Sequence, residues 1–301
     1  MDLDALMRCV GTTSCVVTQL TSGLIIGMLL FLIASGVTLI FGVLNVINFA
    51  HGSLYMIGAY AAWTFYQLTG SYFVSALGAA VAVGVLGVLF ERFLMSKVYG
   101  SNVLMQLLVC YAVVLISDDL IKIIWGPVSL SMGMPVEFRL PPLRFFGGVV
   151  PPFYIFMIVT AMAIGLLLWL VIARTRFGNI VRAAAVNGPM VSALGIRVNL
   201  YYAAVFGIGS ALAGAAGALA APVRSLTPGM GFSILIESFI VTVIGGMGSI
   251  VGAFVASIII GLTRSFGSIG VPLFVDGVMF LIMALVLIFK PSGLFGRPHN
   301  K

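Results

Sequence analysis

The chain has 301 residues, 61% of them hydrophobic and 8% charged, with a formal net charge of +7. A soluble domain carries about 25% charged residues. These proportions therefore exclude a water-soluble globular protein and indicate a polytopic, all-α membrane protein in which one transmembrane domain occupies residues 1–301. The basic excess does not indicate a nucleic-acid partner. If segments 91–101, 174–197 and 290–301 face the cytoplasm, they hold Arg92, Lys97, Arg174, Arg176, Arg182, Arg197, Lys290, Arg297 and Lys301 against the single acid Glu91. The remaining segments are close to balanced, which is the asymmetry of the positive-inside rule.

In chain order, Cys9 and Cys15 come first, in a segment placed outside the cytoplasm, where a disulfide between them is chemically permitted. No basic region, short apolar core and small-residue cleavage site precede residue 20, so the N-terminus reads as uncleaved. About 20 predominantly apolar residues cross a bilayer as a helix. Runs of that kind stand at 20–42, 49–67, 72–94, 103–125, 153–173, 199–220, 233–247, 249–266 and 272–289. Nine crossings put the N-terminus outside and the C-terminus inside, in accord with the charge distribution. The seventh run is short and ends in GGMGS (245–249), which leaves a re-entrant reading open. An additional N-terminal helix within 3–19 would then restore the parity, so 8–10 helices fit the pattern.

Between the first two runs, Asn45, Asn48 and His51 are spaced three apart, a spacing that puts them on one face if the segment is helical. Gly42 and Gly52 flank them and would permit a turn. The segment 125–153 carries six of the 12 prolines and is an extracytoplasmic loop, not a regular helix. Segment 174–199 is less apolar, with four arginines and no acid. It contains a helical run at 179–187 that Gly188-Pro189 would end and after which Gly195 would turn the chain back. Small residues recur at four-residue spacing in Ser210/Gly214/Ala218, Gly207/Ala211/Ala215 and Gly248/Gly252/Ala256, which fits close helix packing in lipid.

Catalytic and metal constellations are absent from the sequence. None of the four lysines follows glycine in a phosphate-binding loop, Gly-x-Ser-x-Gly does not occur, and two histidines make no zinc motif. The polar groups placed within the membrane are what remains. Glu237 is the one central carboxylate, a functional candidate by its expense in lipid, with Arg224 as a structural partner if it is not functional. Asp119 and Lys122 fit an i,i+3 pair, and Asp276 is placed to meet Arg264.

The run SGLIIGMLLFLIASGVTLIFGVLNVINFAHGSLYMIGAY (22–60) closely resembles the opening of LivH-type permeases, membrane subunits of bacterial branched-chain amino-acid ABC importers. RAAAVNGPMVSALGI (182–196), SALAGAAGALAAP (210–222), PGMGF (228–232), VIGGMGSIVGAF (243–254) and FKPSGLFG (289–296) follow in that family's order. The resemblance implies a helical bundle akin to type II importers, multi-pass in the bacterial inner membrane. It also implies two permease subunits, usually related but not identical, two cytoplasmic ATPases that bind the ATP, and an extracytoplasmic solute-binding protein. This chain would bind no cofactor and catalyse no reaction. The candidate pathway residues are Asn45, Asn48, His51 and Glu237. Those for coupling to the ATPase are Arg182, Ala183, Ala184, Ala185, Asn187, Gly188 and Gly195. Two departures from the family pattern bear on function: Asn187 stands where an acid is common, and Ser53 follows His51-Gly52 where many relatives have an acid. Glu237 resembles a subset that includes permeases for urea and other small solutes, so urea, amides and small carboxylates stay open as solutes. An ion-coupled secondary transporter is the reading from another class. It calls for paired intramembrane carboxylates and inverted repeats.

Overall fold

The computed structural model describes residues 3–145 and 147–296. Arg297 and Lys301, counted above among the cytoplasmic cations, lie outside them. Helix α1 spans Leu3–Val10 and α2 Thr13–Leu44, followed by α3 at His51–Thr69. Helix α4 runs from Tyr72 to Val98, with a π-helical turn at Glu91–Met95. Then come α5 (Val103–Trp125), a short hairpin of β1 (Leu143–Phe145) and β2 (Gly148–Val150), α6 (Pro152–Arg174), α7 (Arg176–Ala193) and α8 (Val198–Ala220). The chain closes with α9 (Met230–Gly245), α10 (Ile250–Gly270) and α11 (Val275–Phe289).

Hydrogen bonds between remote segments define the two ends of the bundle. At the outer end Ser14 bonds the Gly147 carbonyl, the Tyr72 N–H donates to Glu137 at 2.7 Å, and Leu130 pairs with Leu226. At the inner end the Leu294 and Phe295 N–H groups donate to the Ile244 and Gly245 carbonyls at 2.8 and 3.0 Å. Helices α2 to α6 and α8 to α11 run between these ends in alternating directions, and six helical segments of the described residues are long and apolar enough to cross a membrane: Thr13–Leu44, Tyr72–Val98, Pro152–Arg174, Val198–Ala220, Ile250–Gly270 and Pro272–Phe289. Helix α9, 16 residues long, starts after the Leu226 bridge and ends at the Leu294 contact. Helix α1, with eight residues, is about 12 Å long, too short to cross, and stays at the outer end. There Cys9 and Cys15 form a disulfide that ties it to α2.

Burial separates central from peripheral helices. In their most apolar windows α2 buries 83% and α8 78% of its residues, against 28% for α4, 22% for α6 and 11% for the Pro272–Phe289 segment. The outward Leu, Ile, Val and Phe of the peripheral helices meet lipid, where an apolar surface is the expected one. The central helices meet through small residues, as the four-residue rows predict. A methyl group at Gly58 would lie 2.5 Å from the Gly214 Cα, and one at Gly27 would lie 2.8 Å from the Ser257 carbonyl oxygen. The backbones are therefore in direct contact, and dispersion across this seam substitutes for the hydrophobic drive that lipid does not supply.

The proline-rich outer loop is anchored by an aromatic cluster of Tyr72, Phe138, Phe153 and Phe156, with ring centroids 4.7 to 6.0 Å apart. Trp125 donates to Thr64 at 2.8 Å and closes the same end.

Candidate functional site

Asn45, Asn48 and His51 do not share a helix face, because α2 stops before them and α3 starts at His51. Asn45 takes the left-handed conformation, φ 52°, as the C-cap of α2, with its N–H on the Phe41 carbonyl. Asparagine tolerates this region better than most residues. Gly42 and Gly52 are helical and do not make the turn. Their missing side chains instead allow close approach, Gly42 to Gly248 and Gly52 to the Gly231 carbonyl in the first turn of α9.

The 45–50 break is packed in protein, which is what non-helical backbone inside a membrane requires. Val46, Asn48 and Ala50 are buried and Asn45 is exposed. Asn48 Oδ1 accepts the Ala50 N–H at 3.0 Å and so caps the entry to α3, while its Nδ2 has no partner among the described residues. The Cys110 thiol of α5 lies 3.8 Å from the same Oδ1 and 3.8 Å from Met95 Sδ. The His51 ring is fully buried, and a methyl group at Gly36 would sit 2.8 Å from its Nε2. Neither ring nitrogen has a hydrogen-bond partner among the described residues.

Glu237 does not pair with Arg224. Its carboxylate forms a buried ion pair with Arg264 of α10, so Asp276 does not hold Arg264. Glu237 is thus apart from Asn48 and His51: the first faces α10, the second α5, and the third the α2–α8 seam. None of the four lines either of the two apolar cavities found among the described residues. An apolar cavity of about 330 Å³ lies between α2, α6 and α10, with Phe31, Gly165, Trp169 and Phe254 on its walls. Asp119 and Lys122 pair at 3.0 Å on an exposed outer surface.

At the inner end, α7 is longer than the predicted 179–187. Thr175 breaks the chain after α6 and caps α7, accepting the Gly178 N–H at 3.3 Å. The first helical segment stops just ahead of Gly188-Pro189, as the sequence predicts, and a second segment follows at once. Asn187 leaves helical geometry (φ −153°, ψ 85°), and its Oδ1 accepts the Met190 N–H at 3.0 Å, which makes it the N-cap of a second short segment. Proline is compatible with a helix's first turn because its N–H would be unpaired there anyway. Gly195, φ 83°, then reverses the chain as predicted.

The α6–α7 corner is tightly held. Arg182 donates to the Ile172 carbonyl and, at 2.6 Å, to Asn179 Oδ1, so it neutralises the C-terminal end of α6. A side chain at Gly178 would collide with the same Ile172 carbonyl, at 2.0 Å. Ala184 is buried against Val191 and Val198, Ala185 is half-buried, and Arg182, Ala183 and Asn187 are exposed. The spacing pattern missed exposed apolar side chains on either side of this break: Val186, Met190 and Leu194 are 84%, 61% and 72% exposed.

Comparison with known proteins places this arrangement. The sequence profile described as "Branched-chain amino acid transport system / permease component" matches residues 19–288. The chain is 33% identical over 294 residues to the high-affinity branched-chain amino acid transport system permease protein BraD of Pseudomonas aeruginosa, covering 93% of this chain and 96% of BraD. It is 31% identical over 297 residues to LivH, the corresponding permease protein of Escherichia coli K12, with 93% and 96% covered. The probable LivH permease of Methanocaldococcus jannaschii is 28% identical over 300 residues, with 94% and 93% covered. No solved structure matches. Full-length similarity, the family profile and the six apolar membrane-span helices agree: the chain is a multi-pass inner-membrane protein and belongs to the branched-chain amino-acid permease family of ABC transport systems.

Proposed function

We propose that the chain is the membrane half-pathway of an ATP-driven importer for branched-chain amino acids. It works with a second, related permease subunit, two cytoplasmic ATPase subunits that bind the ATP, and an extracytoplasmic solute-binding protein. The observation that carries this reading is α7, an inner-end helix fixed rigidly to α6 by Arg182 and Gly178 while Val186, Met190 and Leu194 project without a partner. The first segment, so held, moves as a body with the bundle, and exposed apolar side chains with basic flanks suit a cleft on a cytoplasmic protein. Asn187 caps the helix instead of offering a charge, so docking rests on the apolar side chains. The solute class follows the printed names of BraD and LivH. Glu237 is paired with an arginine and not with a second carboxylate, which disfavours proton-coupled transport. On this reading Asn45 and Asn48 shape the break beside the pathway, and His51 anchors the start of α3.

The test is mild-detergent purification of the tagged chain from its native membranes. Copurification of an ATPase and a second permease, with ATP hydrolysis, is the expected result. A chain that runs alone in several detergents, with no associated hydrolysis, overturns the reading.

A further inference from the structure

Helix α7 and the 45–50 break are well separated in the bundle, yet a continuous set of contacts joins them. The Tyr202 hydroxyl of α8 donates to the Ala184 carbonyl of α7 at 3.4 Å. The same hydroxyl would lie 2.8 Å from a methyl group at Gly188. The Tyr202 ring meets Tyr99 edge-on, centroids 6.3 Å apart. The Tyr99 hydroxyl donates to Glu91 Oε1 at 3.0 Å, and Glu91 is 3% exposed. Glu91 opens the π turn that Met95 closes, and Met95 touches Cys110, which touches Asn48. Gln106 fixes the far side, with Nε2 on the Val98, Tyr99 and Ser101 carbonyls at 3.2, 3.4 and 3.3 Å.

We propose that Tyr202, Tyr99 and the Glu91–Met95 π turn form the mechanical link between the coupling helix and the Asn45–Ala50 break. This rests on the reading of α7 as the ATPase-docking helix. Contact alone does not establish coupling; a link needs an element with two arrangements that both ends bias. A π turn is such an element. It holds one residue more than an α turn, hydrogen-bonds i to i+5, and recurs at functional sites. Sliding the extra residue along α4 turns the helix beyond it and moves Met95 relative to Cys110. Glu91 gives the link its directionality: a carboxylate buried at a membrane helix end is costly without its hydrogen bond, so Glu91 follows the Tyr99 hydroxyl when α7 shifts Tyr202. Tyr99 and Tyr202 are positioning residues and touch no solute.

The test uses the full transporter, reconstituted with its permease, ATPase and binding-protein partners, with radiolabelled leucine as probe. Val186→Cys is cross-linked to the ATPase subunit to report docking. Tyr99→Phe and Tyr202→Phe each remove one hydroxyl and keep the ring; Tyr201→Phe is the control, since its ring stacks on Phe177. The two link variants should retain the cross-link and the ATPase rate but import about 3- to 10-fold less leucine per ATP, the worth of one neutral hydrogen bond. The double variant should be no worse than the poorer single one, because one broken link cannot be broken again. Gly188→Ala, which crowds the Tyr202 hydroxyl from α7, should uncouple similarly and covers the case in which a Tyr→Phe variant does not assemble. Unchanged leucine per ATP in the singles, or losses that multiply in the double, overturn the link while the cross-link keeps the docking reading intact. Absence of the cross-link in the parent Val186→Cys chain removes the docking reading, and the link with it.

Discussion

At the scale of single residues, the membrane interior makes polar groups few and their pairing decisive. Glu237 was visible in the sequence as the one central acid, but its partner was not. Arg224 is nearer in sequence, whereas Arg264 approaches only because α9 and α10 pack side by side. Sequence order carries no information on that packing. Removing Glu237 alone strands a guanidinium. Breaking a buried pair costs about 3–5 kcal/mol, and the Arg264 side chain is 31% exposed, so Glu237→Ala should lose about 3 kcal/mol, the lower end of that range. The Glu237→Gln/Arg264→Met double variant should recover most of it, because neither charge is then uncompensated. Thermal unfolding in detergent measures both. An unaltered midpoint for Glu237→Ala would show that the pair does not stabilise the bundle. Asn45 and Asn48 were likewise visible as amides in an apolar run, but their separate tasks depend on where α2 stops. A left-handed C-cap and an N–H acceptor two residues ahead of α3 emerge only from the backbone path.

At the scale of elements, apolar length was enough to place the long helices, since about 20 apolar residues are what a helix needs to cross a bilayer. Helix ends were less legible. The first crossing helix begins at Thr13, not near 20, because the disulfide and the β1–β2 hairpin support an extra turn and more above the membrane. In α7, Gly188-Pro189 reads as a stop by local propensity, yet Asn187 turns it into a restart by capping the Met190 N–H. The π turn in α4 left no pattern at all, as an extra residue in an apolar helix changes no periodicity that the sequence displays. Asn187 therefore has a checkable function. Asn187→Ala should destabilise the second segment of α7 by about 1 kcal/mol. It should also loosen the Met190 and Leu194 surface, seen as faster amide hydrogen exchange at 188–194 and weaker ATPase association. Asn187→Ser, which restores an N-cap acceptor, should behave like the parent chain. Equal exchange in Asn187→Ala and the parent would contradict the capping role.

At the scale of the whole molecule, the chain belongs to a family of transport-system permeases. Its central helices are locked through glycine and alanine seams, so they move as packed bodies and do not deform continuously. Movement has to enter from outside, and α7 is the rigidly held helix that offers an unpartnered surface at the inner end. The measurement that tests this account most directly is leucine uptake by proteoliposomes containing the chain with its permease, ATPase and binding-protein partners. The account predicts uptake that requires hydrolysable ATP on the ATPase side, persists with a protonophore, and disappears when the ATPase is inactivated. Uptake that proceeds without ATP and collapses with the proton gradient would contradict it.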